Sequence, residues 1–524
     1  MPPSRPEVST LAALAFLAAC VGAGCQARDR RTPDDTLVVL VESRLTSLDP
    51  RYCESNHDVK LSRLVAPGLT SVEQQSLEPR LLLAEKIVKV DDRTFDVTLR
   101  PGFLFSDGNP VTAEDVAFTY MSALDPKMKS QTLRAFAERF SKVEATSELT
   151  ARFHLVAPIA TFESDIEFGI VSSRAVKGSG GRFPPGRVIG AGPYMIESYR
   201  PEEVRLVRNP RWPLEPAGVP RIRARAVPDA NARALMMVGG SADFTQNSIR
   251  IDLVDDLSRR ERLHLAAGRS ALYTYLMMNN TDPILKDVRV RRAIAHAIDR
   301  ERVLRSKLGG RAVLSTGILP PDHWAYSGDV PRYHHDPARA RALLDEAGYP
   351  DPDGPGPQPR MRLVYKTSSD QFRRALARIW AAQLGEVGIA VEVQSFEQQT
   401  FFTDIKKGRY QLASMQTSPI TEPDFLFTYF HSSRIPTAAD PNTHNRWRYQ
   451  NARLDEVTVL GRRSLDKARR KELYAEAQRI LASEVPVIPL WHEDNLTLMN
   501  VDVSGYTLYP TASFWGLLTT HKRR

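Results

Sequence analysis

The sequence predicts an α/β fold, on three observations. Residues 370–387 carry Phe372, Leu376, Ile379, Trp380 and Leu384 at helical spacing, Gly388 breaks the pattern, and Ile389, Val391 and Val393 then alternate as in a strand. Residues 37–41 form a short continuous apolar run between polar flanks, the pattern of a buried strand. Helix start signals stand between such strands: Thr112 with Asp115 three residues on reads as a capping box, and Asp336 followed by Pro337 reads as an N-cap and first helical residue.

In chain order, Phe95, Val97 and Leu99 alternate with Asp96 and Thr98, predicting a half-buried strand that Pro101 and Gly102 end. The helix after Thr112 continues through Val116, Ala117, Tyr120 and Met121. Beyond Asp287, the residues Val290, Ala293, Ile294, Ala297 and Ile298 trace one apolar helical face, with five arginines between Arg289 and Arg302 assigned to other faces. The helix opened by Asp336 turns Leu343 and Leu344 inward and stops at Gly348. Leu473, Tyr474, Ala477, Ile480 and Leu481 make a last apolar helical face before a strand at 485–491. Breaks fall at 178–186 and at the Pro- and Gly-rich stretch 351–359, and no fixed-period repeat is present.

At about 150 residues per domain, 524 residues make roughly three domains or two large lobes. A hydrophobic fraction of 42% with 25% charged residues is that of a folded globular body. The net charge of +9 comes from arginines interleaved with acids along the whole chain, which argues against a nucleic-acid partner.

Residues 11–19 are an apolar run too short to cross a bilayer and suited to a signal peptide. The run ends in Leu17, Ala18, Ala19 and Cys20, which resembles a bacterial lipobox, so residues 1–20 read as a lipoprotein signal and Cys20 as the acylated residue; Cys25 is the alternative. Residues 21–33 read as a polar tether. Cys53 alone lies in the body of the chain, so no intrachain disulfide framework is possible, and it reads as structural. Gly178, Gly180 and Gly181 spell no phosphate loop, and His334, His335 and Asp336 sit side by side without the spacing that converges on a metal. Arg469 and Arg470, like the arginines around Arg291, read as solvated helix faces. No catalytic set, metal set or cofactor motif emerges.

Several phrases together resemble the family 5 extracytoplasmic solute-binding proteins, the peptide and oligopeptide receptors of bacterial ABC importers. They are Leu48, Asp49 and Pro50; residues 99–116, LRPGFLFSDGNPVTAEDV; Gly190 through Tyr194; Arg208, Asn209 and Pro210; residues 287–293; and Asp336 through Gly348, all in the family's order. The resemblance implies a two-lobed periplasmic-binding-protein fold of type II with an additional subdomain on the N-terminal side. It implies lobe I from 34–66, 188–274 and 490–524, an inserted subdomain at 67–187, and lobe II at 275–489, with a hinge near Tyr275 and Pro489. It further implies a non-enzymatic monomer, periplasmic or at the cell surface and lipid-anchored, that captures a peptide or other small solute between its lobes and delivers it to an ABC permease.

By family position Glu54 faces the cleft from lobe I, and Gln416, Thr417, Pro419, Glu422 and Asp424 line the opposite wall, with Trp447 as an apolar wall. Many peptide receptors carry an Asp that pairs with the ligand's α-ammonium; here Pro419 takes that position and offers neither charge nor an N–H. Peptide specificity is therefore open, with Glu422, Asp424 or Glu54 as possible substitutes. The alternatives are the same fold acting as a sensor or receptor for a non-peptide solute, and a secreted hydrolase, which a triad or metal set would support.

Overall fold

The computed structural model describes residues 32–523 apart from 73, 131–135, 180, 355 and 418, so Cys20, Cys25 and most of the expected tether lie outside the described residues. Strand Thr36–Val41 runs inside a seven-stranded sheet, parallel to Arg221–Ala226 on one side and to Phe244–Gln246 on the other. Both of its faces are covered. Leu37, Val39 and Val41 enter the main core, while Val38 and Leu40 pack with Met237 and Leu257 on the other face, which is why the sequence shows a continuous apolar run rather than alternation. The order of this sheet is 263–268, 495–500, 244–246, 36–41, 221–226, 203–208, 194–200.

Two of the recognised phrases act as local braces. Asp49 accepts Arg51 Nε and Nη2 at 3.0 and 2.7 Å, a pair almost without exposure. Asn209 Nδ2 donates to Gly192 O at 2.8 Å, and Gly192 fits because a Cβ there would meet Leu64 O at 2.3 Å.

A four-stranded antiparallel sheet, Ala84–Asp91, Thr94–Leu99, Thr150–Leu155 and Phe140–Ala145, forms a second body. Phe95, Val97 and Leu99 face inward as the alternation predicts. Helix Ala113–Leu124 joins that core through Val116 and Tyr120, and Asp115 accepts the Thr112 amide and hydroxyl at 2.9 and 2.8 Å. Met121, expected on the apolar face, is turned outward.

The third body holds a six-stranded sheet in the order 312–314, 487–493, 274–278, 412–416, 361–368, 389–396. Strand Met361–Ser368, helix Gln371–Gly385 and strand Ile389–Phe396 make a parallel βαβ unit, and Gly388 takes φ +87°, a region costly for other residues. Helix Pro337–Glu346 begins at Asp336, which accepts the Arg339 amide at 2.9 Å.

Three expectations are corrected here. The run beyond Asp287 is two helices, Val288–Ala297 and Arg300–Leu308, because the Asp299 side chain accepts the Arg302 amide at 2.8 Å and starts a new helix after Ile298. Arg291 is buried, not solvated: it donates to the main-chain oxygens of Leu285, Lys286, Glu484 and Val485. It thereby satisfies carbonyls at the end of helix Lys467–Glu484 that have no partner within the helix. The strand expected at 485–491 is Val487–Glu493, since Val485 caps that helix at φ 46° instead of opening the strand.

The chain passes between the seven- and six-stranded sheets at 269–273 and returns at Asp494, where the sequence placed the passages near Tyr275 and Pro489. Asn495 fastens the return. Its Nδ2 donates to Tyr509 O and Pro510 O, both at 3.0 Å, and its Oδ1 accepts Asn247 Nδ2 at 2.8 Å.

Candidate functional site

Two short passages joining two sheets leave a cleft whose walls come from distant parts of the sequence. A cavity of about 310 Å³ lies there, lined by Gln75 and Leu77, by 269–271 of the outgoing passage, by Pro320, Asp322 and His323, and by Pro510. His323 is 3% exposed, and burial pulls its imidazole down to about 4, so the ring is neutral. Nδ1 accepts the Ala325 amide at 3.1 Å, which assigns the proton to Nε2.

Segment 416–424 leaves the end of strand Leu412–Gln416 and runs along the outgoing passage. The Thr417 amide donates to Tyr273 O at 2.9 Å, Thr417 Oγ1 accepts the Tyr273 amide at 3.2 Å, and the Ile420 amide donates to Ala271 O at 2.8 Å. Gln416 Nε2 donates to Glu493, whose carboxylate also accepts Thr274 Oγ1 at 3.1 Å and Trp491 Nε1 at 2.9 Å. Pro419 is half-buried on this segment.

Glu422 and Asp424 are committed to the protein's own groups. Ser164 Oγ, from the four-stranded body, donates to Glu422 at 2.6 Å, and Arg470 Nη2 lies 3.2 Å from its other oxygen. Asp424 pairs with Arg462 at 3.2 Å, and Arg139 pairs with Asp165 at 2.9 Å beside it. Burial holds the Glu422 and Asp165 carboxyls above their usual range, opposed by Ser164 and Arg470 for the first and by Arg139 for the second. Arg470 is thus no solvated residue: it packs its guanidinium over the Trp324 ring at 5.0 Å. Arg434 with Glu138, at 2.9 and 2.8 Å, and the Ala160 amide with Arg462 O, at 2.9 Å, extend the seam between the two bodies.

Glu54 is exposed just ahead of helix Asn56–Val65 and makes no described contact with segment 416–424. Trp447 has 0% exposure; its ring meets Tyr275 edge-on at 5.5 Å and Phe430 at 4.8 Å, so it backs the wall rather than forming its surface. Gln416, Thr417, Pro419, Glu422 and Asp424 share one segment already in sequence, and none of the seven expected residues lines the 310 Å³ cavity. Sequence reasoning missed Ser164, Glu493, Arg470 and Arg462. Arg470 was detectable, because with Leu473, Tyr474 and Ala477 it keeps the i, i+3, i+4, i+7 spacing of the apolar face. Cys53 is inert: burial pushes its thiol up to about 12. Among the described residues no three His, Cys, Asp or Glu side chains form a metal-binding group, and no helix is long and apolar enough to cross a membrane.

Comparison with known proteins places this geometry. The profile of the bacterial extracellular solute-binding proteins, family 5 middle, matches residues 78–437. The chain is 25% identical over 500 residues to the probable D,D-dipeptide-binding periplasmic protein DdpA of Escherichia coli K12, covering 91% of this chain and 92% of that one. It is 26% identical over 494 residues to the glutathione-binding protein GsiB of the same strain, covering 91% and 93%. Among solved structures it superposes on NikZ of Campylobacter jejuni in complex with Ni(L-His) with a TM-score of 0.80 at 24% identity, covering 94% of this chain and 100% of NikZ.

Proposed function

The chain belongs to the family 5 bacterial extracellular solute-binding proteins, and from that premise we propose that it captures a small peptide-like solute between its lobes and delivers it to an ABC permease. It is a substrate-binding component of a transporter, not an enzyme. The observation that carries the reading is the cleft bridged by two short passages with a cavity of about 310 Å³ against the outgoing one, the architecture a hinged receptor needs. We assign lobe I to 34–66, 188–268 and 495–524, the subdomain to 67–187 and lobe II to 274–493, moving the expected bounds at 274/275 and 489/490 to the two passages. Segment 416–424 forms the lobe II wall, with Trp447 behind it, and Glu54 faces the cleft from lobe I. Relatives named for a D,D-dipeptide and for glutathione favour peptide-like solutes. Mass spectrometry of small molecules released from the purified full chain tests this. Recovery of one peptide-like solute in near-stoichiometric amount supports it, and repeated preparations without any solute count against it.

Pro419 leaves the position of the ammonium anchor of many peptide receptors without a charge, and Glu54 is the acid left to substitute for it. Glu422 and Asp424 do not replace it, since both already face arginines. Pro419→Asp is expected to tighten binding of a dipeptide with a free amine by about 1.5–3 kcal/mol, the range of a hydrogen bond to a charged group. Calorimetry with dialanine reads this directly, and an unchanged affinity would place the amine elsewhere.

Cys20 is the proposed acylation site. Cys20→Ser is expected to move the protein from the membrane fraction to the soluble fraction on fractionation, because an acyl anchor is what holds it there. Release by Cys25→Ser with Cys20→Ser still bound would assign the lipid to Cys25.

A further inference from the structure

The outer half of the seven-stranded sheet has one covered face and one open face. Near its centre both faces are covered, since Val38 and Leu40 pack with Met237 and Leu257 from the helices Ala230–Val238 and Val254–Ser258. Farther out, on strands Arg221–Ala226, Glu203–Arg208 and Tyr194–Arg200, the side chains of Ile222, Ala224, Val204 and Leu206 enter the main core, and those that alternate with them point the other way. That second face carries Arg221, Arg223 and Arg225 along one strand, Glu203 and Arg205 along the next and Arg200 on the outermost. Val207 and Met195, opposite each other on the same face, are half-buried and join neither core of the lobe.

The charges on this face do not balance. Three guanidiniums share Glu203, with Arg205 Nε and Arg223 Nε at 2.8 and 2.7 Å and Arg225 Nε at 3.7 Å. Burial works against ionisation of Glu203, but the hydrogen bonds from Arg223 and Arg205 outweigh it and hold the carboxyl below its usual range. The carboxylate therefore carries its full charge and still leaves positive charge over. Arg200, across from Glu203 on the outermost strand, is exposed and adds a further cation without an ion pair among the described residues. Arg221 is matched by Asp35 and Glu197. The Arg205, Arg223 and Arg225 side chains are 49%, 35% and 35% exposed, so the surplus is open to a partner.

Contact with water alone does not account for this arrangement. Arg205 and Arg223 stand directly opposite each other, and like charges in that relation weaken a pair of strands. Exposed arginines elsewhere meet acids of their own, as Arg250 meets Asp252, Arg260 meets Asp256 and Arg453 meets both Glu456 and Glu476. A surplus of guanidinium on an open face suits a surface that bears phosphates, because each group offers such a surface forked, charge-assisted donors.

The place of the face in the fold points to which surface that is. Arg221 opens its strand opposite Thr36, and its amide donates to Asp35 O at 3.0 Å, so the face begins where the chain enters lobe I. Lys522 fastens that entry through Pro33 O and Thr36 O. The stretch from Cys20 to Thr32 spans at most about 40 Å when fully extended. An anchor at Cys20 therefore keeps this edge of the protein within reach of the lipid headgroups.

We propose that the arginine face of lobe I docks on the anionic lipid headgroups of the membrane that holds the chain. This rests on the anchoring at Cys20 proposed above and adds an orientation to it: the acyl group holds the protein at the membrane, and Arg200, Arg205, Arg223 and Arg225 turn the side of lobe I toward the bilayer. A few surplus charges bind an anionic surface weakly and only within a Debye length, so the face orients an anchored protein without holding a released one.

Arginine footprinting with phenylglyoxal on the acylated full chain tests the inference, on vesicles of phosphatidylglycerol and on vesicles of phosphatidylcholine, with the modification read residue by residue by mass spectrometry. At low salt Arg200, Arg205, Arg223 and Arg225 are expected to react about threefold or more slowly on phosphatidylglycerol than on phosphatidylcholine, and the difference is expected to vanish at about 0.5 M salt. Arg374 and Arg378, exposed on helix Gln371–Gly385 of lobe II, are expected to react alike on both lipids. Arg205→Gln combined with Arg225→Gln is expected to remove the slowing at Arg223, whereas Arg374→Gln combined with Arg378→Gln, which takes the same charge from lobe II, is expected to keep it. Equal rates on both lipids at the four arginines of the face overturn the inference. So does equal slowing at Arg374 and Arg378, or slowing at Arg223 that survives the loss of Arg205 and Arg225. Failure of the chain to float with phosphatidylglycerol vesicles overturns it as well, and the mass of the N-terminal peptide then shows whether the acyl anchor has failed with it or stands. None of these results touches the capture role, which the co-purified solute decides.

Discussion

Replacing Arg470 with methionine is expected to lower the free energy of unfolding by about 3 kcal/mol, toward the lower end of the range for breaking a buried ion pair. The loss follows from geometry. Glu422 and Arg470 side chains are 14% and 10% exposed, and the variant leaves the carboxylate with Ser164 alone. Burial already holds Glu422 above its usual range, and the variant removes the Arg470 charge that opposes that shift. Cation–π contact with Trp324 is lost as well. Adding Glu422→Gln in the same chain is expected to restore most of the stability, since no charge is then stranded. Urea unfolding measures both. A change below about 1 kcal/mol in the single variant, the size of an exposed pair, would show that the seam is solvated.

Lys522→Met is expected to cost more, about 3–5 kcal/mol, because the partner it leaves is deeper. Asp243 and Lys522 side chains are 2% and 5% exposed and 3.1 Å apart. Asp243 also accepts the Val38 amide at 2.8 Å, and Lys522 donates to Pro33 O and Thr36 O at 2.8 and 3.0 Å. The pair therefore fastens the start of the described chain to the first strand of lobe I and to the C-terminal end. Loss of hydrogen-exchange protection at Val38 is the expected local sign, alongside a lower midpoint in urea. Asp243→Asn combined with Lys522→Met is expected to recover part of the loss.

Elements whose evidence is local were legible in the sequence. The strand at Thr36–Val41, the cap at Asp336 and the helix, Gly388 and strand unit each depend on a few adjacent residues, and periodicity with capping chemistry sufficed. The split at Ile298 was missed because Ile298 continues the apolar spacing, while the Asp299 cap that ends the helix opens the next one. Arg291 and Arg470 were misread for a shared reason. Each lies in register with an apolar face, Arg291 with Ile294 and Ile298 and Arg470 with Leu473 and Tyr474, but residue type suggested solvent. Their partners, the carbonyls of Glu484 and Val485 and the carboxylate of Glu422, lie far off in sequence and come together only in the folded chain.

The same limit applies to the site. Segment 416–424 was singled out by family position, yet the groups its acids face, Ser164, Arg462 and Arg470, are linked to it by no local pattern.

In the capture role proposed above, the seam through Glu422 and Asp424 is the contact between lobe II and the four-stranded body that closure would have to make and opening would have to break. Small-angle X-ray scattering on the full chain, first stripped of solute by unfolding and refolding and then reloaded with the solute it had carried, tests the central claim most directly. The account predicts a larger radius of gyration for the stripped protein and a return to the compact value on reloading. An unchanged radius on stripping and reloading, with binding of the solute shown in the same samples, would contradict capture by closure of the two lobes.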